Sequence, residues 1–189
     1  MNPQHPYYQK SFPIPKRDIA KAKALLKEAG VKTPVPVDLM VTKGAENEAV
    51  SQVLQSMAAE AGFDLKIRVI EFATSFKQAQ AGEFQIFQIA WSGRIDPDGN
   101  SYVFMHTKAP QNDGGYTNPE ADKLMEDARL TSNFEERKAL YEKLTKILLN
   151  DLPIIYLYHR KLLIAHTTKL EGYKQMPDGL VRVVGLKLK

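Results

Sequence analysis

Cysteine is absent from all 189 residues, which excludes disulfide scaffolds, zinc–cysteine sites and thiol nucleophiles together. It leaves the compartment open, because cysteine-free chains occur in reducing cytosol and along bacterial export routes alike. No apolar run approaches the ~20 residues that span a bilayer. Met1 to Lys10 lacks the apolar core of a signal peptide, so the signal of an exported parent is expected outside this stretch. Standard catalytic patterns are missing too. The four histidines, His5, His106, His159 and His166, form neither an HExxH pattern nor a helical i, i+4 zinc pair. There is no Gly-x-Ser-x-Gly elbow and no phosphate-cradling Gly-x-x-x-x-Gly-Lys. Gly114 and Gly115 read as a turn.

What is present is ordinary globular composition, 43% hydrophobic and 25% charged, in a length inside the usual domain range. Folding a chain of this size removes roughly 70% of its unfolded surface from water without a metal or disulfide staple. The formal charge is +4, but Lys21, Lys23 and Lys27 alternate with alanines and leucines, and Lys187 and Lys189 flank a terminal strand. That is a solvated surface. A nucleic-acid site would gather its basic residues on one face, with stacking aromatics for single strands. No nucleic acid, metal or cofactor is expected.

The pattern along the chain is α/β. Residues 1–17, with Pro3, Pro6, Pro13 and Pro15, read as an extended arm, and residues 18–189 as a single lobe. Asp18 caps a helix with Ile19, Ala22, Leu26 and Ala29 on its apolar face, and Gly30 stops it. Val37, Leu39 and Val41 alternate with Asp38, Met40 and Thr42 as in a half-buried strand. A helix over 45–61 presents Val50, Val53, Leu54, Met57 and Ala61, and a strand follows from Phe63 to Ile70. Strand, helix, strand with short connections is the unit of parallel pairing. A short helix over 74–81 and a strand over 84–91 come next. Ser92 to Gly115 is a long Gly-, Asp-, Asn- and Pro-rich connection, with a helical turn around Tyr102 to Met105. Asn118-Pro119 starts a helix with Leu124, Met125 and Ala128 inward. Asn133 caps another, with Leu140, Leu144, Ile147 and Leu148 buried. Residues 153–158, 162–166 and 181–188 are strand candidates.

The stretch Trp91-Ser92-Gly93-Arg94-Ile95-Asp96-Pro97-Asp98-Gly99-Asn100 leaves an apolar strand directly into a Gly-rich turn. Open α/β sheets place ligands at such strand ends. A planar apolar wall, Trp91, beside the polar groups of Ser92, Arg94 and Asp96 and the flexible Gly93, is what a small-molecule pocket requires. Composition alone allows a second reading: a buried tryptophan, a proline turn and an internal Arg94–Asp96 ion pair. Asp96, Asp98 and Asn100 alternate as calcium ligands do, but an EF-hand loop also needs a terminal bidentate Glu, and Phe104-Met105-His106 supplies none.

At these residues the sequence resembles the extracellular solute-binding proteins of oligopeptide-, dipeptide- and nickel-type ABC importers (family 5). The resemblance runs through Lys21-Ala-Lys-Ala-Leu-Leu-Lys-Glu-Ala-Gly30, Trp91-x-Gly93-x-x-Asp96-Pro97, Tyr116-x-Asn118-Pro119-x-x-Asp122, and Arg137 to Tyr141 leading to Leu152-Pro153-Ile154. It implies a periplasmic-binding-protein-like (type II) α/β lobe with a mixed sheet flanked by helices, the second lobe of a longer, two-lobed, clamshell-closing parent. The implied partners are a small solute (peptide-like or anionic), the first lobe and a membrane permease, in a periplasmic or other extracytoplasmic compartment. Trp91, Ser92, Gly93, Arg94 and Asp96 are the implied ligand contacts, and no enzyme activity is implied. In peptide-binding members an aspartate three residues after the tryptophan holds the peptide's amino group. Here Arg94 occupies that position, and a guanidinium prefers carboxylate or phosphate. Arg94 is therefore expected to meet an anionic ligand group, or else to pair with Asp96 or face the other lobe. Two other functions stay open: a protein-interaction module, and a small hydrolase or transferase using Asp96 and His106 as acid and base.

Overall fold

A proline-free run of helix formers behind Asp18 gives α1, Ile19–Glu28, with the Asp18 carboxylate accepting from the Lys21 amide at 2.8 Å. The computed structural model describes residues 3, 5–161, 163–176 and 180–189. After α1 come β1 (Val35–Thr42), α2 (Ala45–Glu60), β2 (Phe63–Ile70), α3 (Phe72–Gln80) and β3 (Ile86–Gln88). β1 pairs with β2 in parallel along its whole length and with β3 in parallel on its other side, giving the order β2-β1-β3. The expected α/β class is therefore what forms, and the pairings of this sheet among the described residues are all parallel where a mixed sheet was expected.

β1 corrects the half-buried expectation. Leu39, Met40, Val41 and Thr42 are all buried in succession, because a central parallel strand is covered on both faces. α2 lays Leu54 and Ala58 against Leu39, Val41 and Leu65 on one face. On the other, the Thr42 hydroxyl meets the Ser75 hydroxyl of α3 at 3.3 Å. α2 is also rotated from the expected stripe. Val53 and Met57 are exposed, while Ser51 is fully buried, its hydroxyl bonded to Asn47 O at 2.8 Å and to the Gln88 side chain. A polar side chain with both partners supplied can occupy a core position that hydropathy assigns to valine.

α3 begins two residues earlier than expected because the Glu71 carboxylate caps the amides of Ala73 and Thr74. β3 is shorter than the expected 84–91. Arg68 of β2 ties the sheet together, donating from Nε and Nη2 to the Asp38 carboxylate and from Nη1 to Gln78 of α3.

Past residue 92 lie a 3-10 turn at Pro97–Asn100, α4 (Tyr102–Met105), α5 (Pro119–Leu130) and α6 (Phe134–Asp151). α5 opens on Asn118-Pro119 and buries Ala121, Leu124, Met125 and Ala128. α6 is capped by Asn133 and buries Tyr141, Leu144 and Leu148, whereas the expected Leu140 and Ile147 are only half-buried. The C-terminal strands are corrected. Among the described residues, 153–158 and 163–166 form no strand, Leu162 lies outside the described residues, and strand 181–188 shrinks to β5 (Lys187–Leu188), antiparallel to β4 (Leu170–Glu171). Apolar β-formers become strands only where a neighbouring chain segment accepts their hydrogen bonds.

The chain divides into two compact units, Ser11–Trp91 with Lys108–Tyr116, and Met1–Lys10 with Ser92–Thr107 and Thr117–Lys189. The first carries the three-stranded sheet and the second carries α4, α5 and α6.

Candidate functional site

The turn from Ser92 to Asn100 belongs to the helical unit. Gly93 takes φ +79°, a left-handed conformation that favours glycine. Asn100 closes the turn from inside: its Oδ1 accepts from the Arg94 amide at 2.7 Å, and its Nδ2 donates to Arg94 O at 2.7 Å and to Asp96 O at 3.2 Å. Asp96 then caps the 3-10 turn, accepting from the Asp98 amide at 2.8 Å. The Ser101 hydroxyl donates to Pro97 O at 2.9 Å beneath a buried Pro97.

Arg94 folds over this turn. Its Nη1 donates to Ser92 Oγ at 3.0 Å and Gly93 O at 2.8 Å. Its stem lies so close to Gly99 that a Cβ there would sit 2.9 Å from Arg94 Cγ and 3.0 Å from Arg94 Cβ. Gly99 is thus needed for the room it leaves, since its φ is not in the left-handed region.

Both carboxylates of the turn are held from outside. Asp96 receives Nη1 and Nη2 of Arg137 at 2.9 and 2.8 Å. Asp98 receives Nε and Nη2 of Arg129 at 2.7 and 2.8 Å. These are two-pronged, charge-assisted pairs. Arg137 also donates from Nε to Ala128 O at 2.8 Å and lies near the rings of Tyr7 and Tyr141. The Arg129 guanidinium stacks 3.3 Å from the centre of the Tyr102 ring. The Arg137 hydrogen bonds hold the Asp96 carboxyl below the usual carboxylate range, against partial burial. The same bonds raise Arg137 further above its ordinary value.

The N-terminal arm takes part. His5 Nε2 lies 2.8 Å from Ile95 O, and the Tyr7 ring packs edge-on against Phe134 and Tyr141. Tyr141 is buried, its hydroxyl has no partner at hydrogen-bonding geometry among the described residues, and burial pushes that hydroxyl up to about 12.

Of the expected ligand contacts, Ser92, Gly93, Arg94 and Asp96 sit together in this turn, and Trp91 is the last residue of the sheet unit's long segment. Trp91 is 43% exposed, which corrects the buried-tryptophan reading. Arg137 is the two-pronged partner of Asp96, in place of the ion pair with Arg94 that the sequence allowed. Of the supposed acid–base pair, Asp96 is held by Arg137, whereas His106 faces Glu126 at 3.1 Å and Thr107 O at 2.7 Å, and stacks on Tyr102. Among the described residues no group of three or more His, Asp or Glu side chains could hold a metal. Sequence reading missed Arg129 as a partner of Asp98, and met Arg137 only as part of a family pattern. Separations of 31 and 41 positions leave no local signal.

Residues 1–114 match the family model of the bacterial extracellular solute-binding proteins, family 5 middle region. The chain belongs to that family. It is 29% identical over 168 residues to di/tripeptide-binding protein 2 of Pseudomonas aeruginosa, a match covering 85% of this chain and 32% of that protein. The oligopeptide-binding protein AppA of Bacillus subtilis, solved with a nonapeptide, superposes with a TM-score of 0.88 at 27% identity, over 100% of this chain and 41% of that one. DppA of Helicobacter pylori, solved with the peptide STSA, gives 0.74 at 29% identity, over 80% and 31%. The periplasmic-binding-protein-like α/β fold expected from the sequence is thereby established, and the chain spans about a third of the length of the curated relatives it matches.

Proposed function

We propose that this chain is the ligand-facing second lobe, residues 18–189, of the substrate-binding component of an ABC importer. The component captures a peptide or related small solute between two lobes outside the cytoplasm and delivers it to the membrane permease. Family membership supports the class. The observation that carries the site is the turn itself, in which every carboxylate is gripped by a helix arginine while Arg94 rides on the surface of the turn beside Ser92 and Gly93. A ligand ammonium finds Asp96 already occupied. The turn is thus better suited to an anionic group at Arg94, with Ser92, Gly93 and Asp96 as its surroundings. Relatives named for di- and tripeptides make short peptides the first solutes to test.

The test is calorimetric titration of dialanine and N-acetyl-dialanine into a protein carrying both lobes. If a carboxylate meets Arg94, both bind and Arg94→Ala weakens both by about 10- to 100-fold, the worth of a charged hydrogen bond. Tight binding unchanged in Arg94→Ala overturns the assignment of Arg94. A second reading, a protein-interaction module, is favoured by Ile154-Ile155-Tyr156-Leu157-Tyr158, a contiguous run of large hydrophobic side chains that is exposed throughout. Concentration-dependent self-association abolished by Ile155→Lys would support it.

A further inference from the structure

Asp96 and Asp98 stand two residues apart in the turn, and each is gripped by an arginine from a different helix. Arg129 comes from the last turn of α5 and Arg137 from the first turn of α6. The connector between those helices is itself bound tightly. Thr131 Oγ1 donates to Glu136 at 2.7 Å and accepts from the Asn133 amide at 3.2 Å, while Asn133 accepts from the Glu136 amide at 3.1 Å. The two guanidiniums are therefore presented at a fixed spacing. A single ion pair would let the turn pivot about it, whereas two forked pairs fix orientation as well as distance. Each arginine is also held in place by a group outside the turn, Arg137 by Ala128 O and Arg129 by the Tyr102 ring. The Arg137 side chain is 15% exposed and the Asp98 side chain 23%, against 57% and 43% for their partners Asp96 and Arg129, so each pair is partly shielded at one end.

We infer that Arg129 and Arg137 are positioning residues of the binding turn: together they lock it onto the α5–α6 junction and so set where Arg94 is offered to a ligand. The inference rests on the turn being ligand-facing, and it adds which residues outside the turn decide the turn's geometry. A charge consequence follows. The turn by itself holds one cation and two carboxylates, and inside the clamp each carboxylate is matched by a helix arginine.

The experiment is amide hydrogen exchange by NMR on the 189-residue chain. The reporters are the Arg94 amide, bonded to Asn100, and the Asp98 amide, bonded to Asp96. The controls are the Met125 and Leu144 amides inside α5 and α6. Arg137→Gln and Arg129→Gln should each speed exchange at the reporters by about tenfold or more and move the controls by less than about twofold, the mark of local opening. Arg137→Lys, which keeps charge but loses the fork, should fall between, and the charge exchange Asp96→Arg with Arg137→Asp should restore most of the protection at the Arg94 amide, the Asp98 amide having lost its Asp96 acceptor in that variant. Unchanged reporters in both Gln variants, or reporters and controls accelerated alike, overturn the clamp. Titration of N-acetyl-dialanine into the two-lobed protein separates the two ideas. A loosened turn with no binding by any form keeps the clamp and removes the ligand reading, whereas an unchanged turn with intact binding does the reverse. Where both hold, Arg137→Gln should weaken binding at least about fivefold and add nothing to Arg94→Ala, because it acts through Arg94.

Discussion

Gly99→Ala tests how rigidly the turn is built. The new methyl group would lie 2.9 Å from Arg94 Cγ and 3.0 Å from Arg94 Cβ, closer than packed carbons approach. The atoms it meets are the root of the arginine, which cannot swing aside as a flexible tip would. Moving the backbone is the alternative relief, and it is opposed by the Asn100 bonds at 2.7 Å and by the two arginine forks. Overpacking of a confined site costs about 1–3 kcal/mol. Arg94 is exposed and can yield in part, which places the expected cost at about 1–2 kcal/mol, or roughly 2–8 °C in Tm for a chain of this size.

The assay is thermal unfolding of four proteins: the parent, Gly99→Ala, Arg94→Ala and the double variant. Arg94→Ala removes Cγ and everything beyond it, so the double variant should recover about half or more of the Gly99→Ala loss, a coupling of about 0.5–1 kcal/mol. Additive losses, or a Gly99→Ala protein as stable as the parent, would refute the idea that Gly99 exists to seat Arg94. A large loss that Arg94→Ala does not relieve would locate the strain in the backbone instead.

The remaining predictions concern charge and burial. Because the folded carboxyl of Asp96 titrates below its ordinary value of 3.8, its pairing stabilises the fold at all pH above that value and is lost as pH falls through the folded one. Asp96→Asn should therefore flatten the acid limb of a stability–pH curve, and an unchanged limb would count against the pairing. Tyr141 has the opposite sign. Its hydroxyl is raised from 10.0 to about 12, so stability holds below pH 10 and declines as pH rises toward 12. Tyr141→Phe removes a buried hydroxyl that has no hydrogen-bond partner among the described residues, so it should cost less than about 1 kcal/mol at neutral pH and abolish part of the alkaline decline. A loss above about 2 kcal/mol in chemical denaturation would mean that the hydroxyl has a partner.

How much of this was legible in the sequence depended on how far apart the cooperating residues lie. Caps could be read because they act within three residues: Asp18, Asn118 and Asn133 all stand where their helices begin. Glu71 escaped notice because glutamate is not among the preferred capping residues, and its longer side chain nonetheless reaches two amides. Burial on both faces of β1 depends on α3 returning to the sheet, and the buried Ser51 depends on Gln88, 37 positions away. The run at 153–158 shows the converse: its β-forming composition was correctly perceived, but a strand is a property of a pair, and among the described residues this run forms no strand. The turn at Ser92–Asn100 combines both cases. Gly93, Pro97 and Asn100 mark it as a turn locally, and its acidic residues invited calcium, catalysis or an internal ion pair. What decides among these is which cations arrive from elsewhere. Two arginines on adjoining helices claim both carboxylates, and that one tertiary fact turns an acidic-looking loop into a rigid mount for Arg94.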